Sequence, residues 1–114
     1  MVRERSHKYN APTKGCQCLR RTKECLTSGE EFIIKITASD TAMEDFSLTP
    51  EEIKEFILKE VEDRHYSETL RDNRDEPFDH HVFRVHSDNL DSKVYIKIKI
   101  DKDYQQPELM SFKK

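Results

Sequence analysis

Val94-Tyr95-Ile96-Lys97-Ile98-Lys99-Ile100-Asp101 is the stretch that decides the fold. Val94, Ile96, Ile98 and Ile100 alternate without a break with Tyr95, Lys97, Lys99 and Asp101. Successive side chains of a strand point to opposite faces, so this strand has an aliphatic core side and a polar open side. A sheet that is wet on one face is typically antiparallel. Upstream, the same period over residues 80–86 turns Phe83 and Val85 inward and leaves His80, Val82, Arg84 and His86 on the open face. Downstream, over residues 109–113, it turns Met110 and Phe112 inward and Leu109, Ser111 and Lys113 outward. The separators, Ser87 to Ser92 and Asp101 to Pro107, carry turn chemistry, so the three strands form a meander.

Farther upstream, Thr49-Pro50-Glu51-Glu52 sets a capping Thr before Pro at the first helical position, with Glu three residues beyond the cap able to bond back. Ile53, Phe56, Ile57 and Val61 then recur at helical spacing, which predicts an amphipathic helix of about three turns. Its acidic side is read as solvated surface. Residues 32–37, Phe-Ile-Ile-Lys-Ile-Thr, suit a strand, and Ser39 offers a cap for a brief helical turn through Ala42, Met43 and Phe46. Residues 62–77 hold one aliphatic, Leu70, and read as a polar connection with at most a turn of helix.

Composition limits the rest. At 114 residues there is material for one core, and a charged share of 38% against the usual ~25% makes that core small. Leu, Ile, Val and Phe still number 26, enough for a folded domain. Only two glycines leave nothing for a phosphate-cradling loop, which disfavours P-loop and dinucleotide folds. No run of apolar residues is long enough to span a membrane, and no signal region follows the charged start, so a cytoplasmic protein is expected.

Three cysteines without a signal peptide point to reduced thiols. Cys16, Cys18 and Cys25, with His7 as a fourth group, are candidate zinc ligands, but C-x-C-x6-C lacks the paired C-x-x-C signature and free thiols are the expectation. The net charge of −3 conceals an asymmetry: residues 1–25 carry seven Lys or Arg against two Glu, and the remainder 13 against 21. Residues 1–31 contain only Val2, Leu19 and Leu26 as aliphatics and read as a flexible basic arm, able to contact RNA or a partner. The expected fold class is therefore α+β. An antiparallel sheet ending in a three-stranded meander, over residues 32–114, packs on one main amphipathic helix, with the arm at 1–31.

If the meander strands are neighbours, one open face gathers His80, Arg84, His86, Tyr95, Lys97, Lys99, Ser111 and Lys113 on an acidic chain. The bland reading is the wet side of an ordinary two-faced sheet. The sharper reading is chemical: cleaving RNA without a metal needs a base for the 2′-hydroxyl, cations for the pentavalent phosphate and an acid for the departing 5′-oxygen. Tyr, His, Lys and Arg serve those needs. No carboxylate pair or His/Asp set falls in the predicted cluster, which argues against a metal-dependent nuclease, and Ser111 lacks a nucleophile-turn motif.

At these residues the chain resembles the MqsR family of bacterial mRNA interferase toxins, relatives of the RelE-type ribonucleases. Val94-Tyr95-Ile96-Lys97-Ile98 is similar to the family's V-Y-L-K-I strand and Ser111-Phe112-Lys113-Lys114 to its terminal S-F-K-E-K. Asp79-His80-His81-Val82-Phe83-Arg84-Val85 is similar to its D-H-x-I-W-Q-D. Thr37, Ala42, Asp45 and Leu48 before Glu52-Ile53 resemble its T-x-x-A…D-x-x-L segment, and Tyr66 stands where it has F-Y-K. The resemblance spans residues 32–114 and implies a metal-independent endoribonuclease toxin, without cofactor, acting on mRNA and neutralised by a cognate antitoxin. The antitoxin is expected at the sheet edge or the cationic face.

Carried over by position, the family's site falls on Tyr95, Lys113 and on Arg84 in place of a glutamine. His80 or His86 would add acid–base capacity. Tyr66, His86, Lys97 and Lys99 are the further RNA-binding candidates. Ser67 replaces the family's lysine and Phe83 its tryptophan. The alternative is a non-catalytic RNA- or protein-binding module that kept the fold and lost cleavage.

Overall fold

The computed structural model describes residues 7–71 and 78–114. The elements run β1 (His7–Tyr9), α1 (Pro12–Ser28), β2 (Ile33–Ile34), α2 (Ile36–Phe46), α3 (Pro50–Glu60), a single 3-10 turn (Asp63–His65), β3 (Tyr66–Arg71), β4 (Phe78–Ser87), β5 (Ser92–Asp101) and β6 (Glu108–Lys113). One six-stranded sheet has the order β1-β3-β4-β5-β6-β2, antiparallel throughout except where β2 runs parallel to β6. The α+β expectation holds, and β4-β5-β6 is the meander. No described helix is long and apolar enough to cross a membrane.

The core forms where the aliphatic side of the sheet meets the helices. Val94, Ile96, Ile98 and Ile100 of β5 are all buried, as are Phe83 and Val85 of β4 and Phe112 of β6. Ile53, Phe56 and Ile57 of α3 meet them, with the Phe56 and Phe112 rings edge to face at 5.4 Å. The expected capping box starts α3: Glu52 N–H donates to Thr49 Oγ1 at 3.2 Å, and Thr49 N–H donates to Glu52 Oε1 at 3.0 Å.

Four sequence expectations differ from the structure. Residues 12–28, taken as part of a solvated arm, form α1, whose inner side buries Gly15, Cys18, Leu19, Thr22 and Cys25. Small and weakly apolar side chains at helical spacing supply this packing face in place of aliphatics. The strand expected over 32–37 shrinks to Ile33–Ile34, because Lys35 N–H closes the parallel pairing on Leu109 O at 3.0 Å and the chain then turns into α2. There Ala38 and Ala42 are buried and Ile36 is exposed.

The connection expected over 62–77 contains β3; residues 72–77 lie outside the described residues. In β6 it is Leu109, not Met110, that is fully buried, because the register shifts between Lys97 and Ile98 (Lys97 faces Ser111, Ile98 faces Leu109). A bulge of this kind puts an extra residue on one strand and inverts the period beyond it.

Candidate functional site: a cation-flanked tyrosine on the open sheet face

Strand register builds the site. Arg84 of β4 stands opposite Tyr95 of β5, and Tyr95 opposite Lys113 of β6. The three alternate away from the core, so their side chains share the helix-free face. The Arg84 guanidinium carbon lies 5.2 Å from the Tyr95 ring centroid and Lys113 Nζ lies 5.4 Å from it, within cation–π range. Burial pushes the Tyr95 hydroxyl above its ordinary value, with the Arg84 cation opposing and the Glu68 carboxylate adding to the rise. At neutral pH this hydroxyl is therefore a proton donor.

The next row down the sheet is Glu68, Val82, Lys97 and Ser111. Val82 is buried even though it belongs to the open face. Burial, then repulsion from Lys113 and Lys35, lowers the Lys97 ammonium below the ordinary lysine value. Lys99 occupies the row beyond, 3.5 Å from Glu108 Oε1 and 4.6 Å from the Phe78 ring centroid. It is thus held by neighbours at the far end.

His80 shares the row of Lys99, four residues and roughly 13 Å of strand from Arg84, so the register does not bring it to Tyr95. His86 is only two residues from Arg84. It lines a cavity of about 410 Å³ together with Arg84, Lys93, Tyr95 and Lys114. That size suits a small organic ligand. A larger cleft of about 800 Å³ runs along α1 on the other side, lined by side chains of both signs such as Arg20, Lys23, Glu24 and Asp63.

Tyr66 does not join the site. Its register partner is Phe83, on the core side, and the two rings meet edge to face at 6.2 Å. Its hydroxyl accepts from Ala11 N–H at 2.7 Å and shares a 2.7 Å bond with Thr69 Oγ1, which in turn lies 2.9 Å from His81 Nδ1. Tyr66 therefore ties α1 to the sheet. The cysteines are parted in a similar way. Cys18 and Cys25 are buried, their thiols raised by burial, whereas Cys16, two residues from Cys18, is about 200° around the helix and half-buried. Among the described residues no group of three or more His, Cys, Asp or Glu converges to hold a metal.

Glu68 was missed by sequence reading, as were Lys93 and Lys114. Arg84 Nη1 donates to Ser67 Oγ and to Glu68 Oε1, the latter at 3.3 Å. Consecutive residues both reach Arg84 because the β3–β4 register shifts between Tyr66 and Glu68. Lys93 was legible, since it continues the outward series of Tyr95, Lys97 and Lys99. The bulge in β3 has no comparable signal.

A sheet backed by helices on one face, with a tyrosine between two cations on the other, defines a small α+β domain. The sequence profile of the family described as "Motility quorum-sensing regulator, toxin of MqsA" matches residues 16–114, including most of α1. The chain belongs to that family: it is a toxin of a toxin–antitoxin system, and its partner is an antitoxin of the MqsA kind. No individually curated protein matches it.

Proposed function

We propose that the chain is a metal-independent endoribonuclease that cleaves mRNA in the cytoplasm, with Arg84, Tyr95 and Lys113 as its centre. The observation that carries this reading is the cross-strand row itself, with two cations set on opposite sides of one tyrosine. In transphosphorylation the 2′-oxygen attacks the neighbouring phosphorus, negative charge grows on the equatorial oxygens, and the 5′-oxygen leaves with a proton. Arg84 and Lys113 stabilise that charge where it develops. The raised Tyr95 hydroxyl donates to a phosphate oxygen or to the leaving oxygen.

His86, beside Arg84 in the same cavity, has the proton-transfer chemistry to take the 2′-hydroxyl proton. Lys93 and Lys114 hold the adjoining backbone phosphate. A 2′,3′-cyclic phosphate, or its hydrolysis product, remains on the upstream fragment.

The test uses a long mRNA in EDTA. Arg84→Ala and Lys113→Ala should each slow cleavage by about 10²-fold or more. Tyr95→Phe, which keeps ring and strand, should show a large loss from the hydroxyl alone. A magnesium requirement, or cleavage unchanged in all three variants, would refute the assignment.

A second reading, a binding module without cleavage, is favoured by one observation: Ser67 replaces the family's lysine, and Arg84 is partly engaged by Glu68. Growth arrest with cut transcripts on expression supports the nuclease. Harmless expression with intact RNA supports the module.

A further inference from the structure

Around Tyr95 the open face is cationic except where β3 brings the Glu68 carboxylate to it, Glu108 standing beside Lys99 at the far end. Along a regular strand Ser67 and Glu68 would point to opposite faces. The register shift between Tyr66 and Glu68 leaves Tyr66 on the core side opposite Phe83 and Glu68 on the open side opposite Val82, with Ser67 also turned outward. Thr69, opposite the buried His81, returns to the core side. The bulge thus directs two adjacent side chains at one target, Arg84 Nη1. The pair is sheltered on one side: the Glu68 side chain is 21% exposed and the Arg84 side chain 52%.

Held on that edge, the guanidinium lies over the Tyr95 ring at 5.2 Å. Anchored at Nη1 by β3, Arg84 makes no hydrogen bond through Nη2 or Nε among the described residues, and that edge can offer itself to a phosphate. A long arginine side chain has many rotamers, and binding one edge of its planar fork fixes the other edge before substrate arrives.

We propose that Glu68, assisted by Ser67, is a positioning residue that holds Arg84 against Tyr95 in the geometry the transition state needs. This rests on the nuclease reading, and it takes the site further by naming the residue that orients its cation. The arrangement has an opposing effect on affinity. The Glu68 carboxylate repels the RNA backbone, so it weakens ground-state binding while it improves the chemistry. Removing a strut that only supported the fold would make binding and turnover worse together.

The full chain and its Glu68→Gln, Glu68→Ala, Arg84→Gln and Glu68→Ala/Arg84→Gln variants separate these cases by three measurements. The first is kcat on a long mRNA in EDTA. The second is Kd for a 2′-O-methyl oligoribonucleotide, which cannot be cleaved because its 2′-oxygen is capped. The third is the NMR resonance of the Arg84 Nε–H group, shifted by the Tyr95 ring.

Glu68→Ala should lower kcat by about tenfold or more through misplacement of Arg84, tighten Kd by about threefold through loss of one nearby anion, and move the Nε–H resonance to the position of a freely rotating arginine. Glu68→Gln, whose amide oxygen still accepts from Nη1, should recover part of the kcat. In the Arg84→Gln background, Glu68→Ala should have no further effect on kcat. The proposal is overturned by an unmoved Nε–H resonance in Glu68→Ala, by Kd and kcat worsening in parallel, or by an equal kcat loss with and without Arg84. Absence of cleavage by the unmodified chain overturns the nuclease reading alone, because the resonance and Kd still report on whether Glu68 holds Arg84.

Discussion

Replacing Gly15 by alanine tests whether α1 is part of the folded domain. A Cβ at Gly15 would lie 2.6 Å from Tyr66 Cε1 and closer still to Cδ1. The ring has little room to retreat. Its hydroxyl is bound to Ala11 N–H and Thr69 Oγ1, each at 2.7 Å, and its edge is set against Phe83. Forcing one extra methyl into such a contact costs about 1–3 kcal/mol, and this close approach belongs to the upper part of that range. Against it stands the gain of up to about 1 kcal/mol from replacing glycine by alanine within a helix.

The net expectation is destabilisation of about 2 kcal/mol, or a fall in Tm of about 8 °C for a domain of this length. Thermal and urea unfolding followed by circular dichroism measure it. In a Tyr66→Leu background, which removes the ring, the same Gly15→Ala change should be neutral or stabilising. Stabilisation of the unmodified chain by Gly15→Ala is what a solvated helical arm would give, and it would refute the docking of α1 on Tyr66.

Two further outcomes follow from the core and the caps. Burial lowers His81 to about 4, with Nε2 buried and unpaired, so the unfolded chain binds its proton first as pH falls. Stability should then be greatest above about pH 6.5 and decline by about 3 kcal/mol between there and pH 4. Urea unfolding across that range checks it, and an undiminished slope in His81→Leu would assign the effect to other groups. Thr49→Ala removes the Oγ1 acceptor of the capping box at α3, leaving the backbone N–H of residue 49 to donate to Glu52, and should cost about 1 kcal/mol, a Tm fall of about 4 °C. RNA cleavage at 25 °C should be unchanged, because α3 packs on the opposite face of the sheet.

What could be read from the chain, and what could not, divides along one physical line. Period-2 alternation placed Arg84, Tyr95 and Lys113 on one face, because β4, β5 and β6 pair in regular register across that row. The capping Thr49 and the Ile53-Phe56-Ile57 spacing similarly announced α3. By contrast, α1 was hidden because Gly15, Cys18, Thr22 and Cys25, with Leu19, make a helical stripe without bulky aliphatics, and close packing of small residues has little hydropathy signal. β3 was hidden because its inward groups, Tyr66 and Thr69, are joined by hydrogen bonds rather than by hydrophobic side chains.

The two bulges were the remaining obstacle. Each inserts a residue that reverses inside and outside, and neither is marked by a glycine. At Met110 the reversal exchanges one core residue for its neighbour. In β3 it does more, because it brings Ser67 and Glu68 together onto the face that holds Arg84. Strand irregularities re-aim side chains beside functional sites. Alternation could therefore find the two cations beside Tyr95, yet not the carboxylate bonded to one of them, since Glu68 reaches Arg84 only where the alternation breaks.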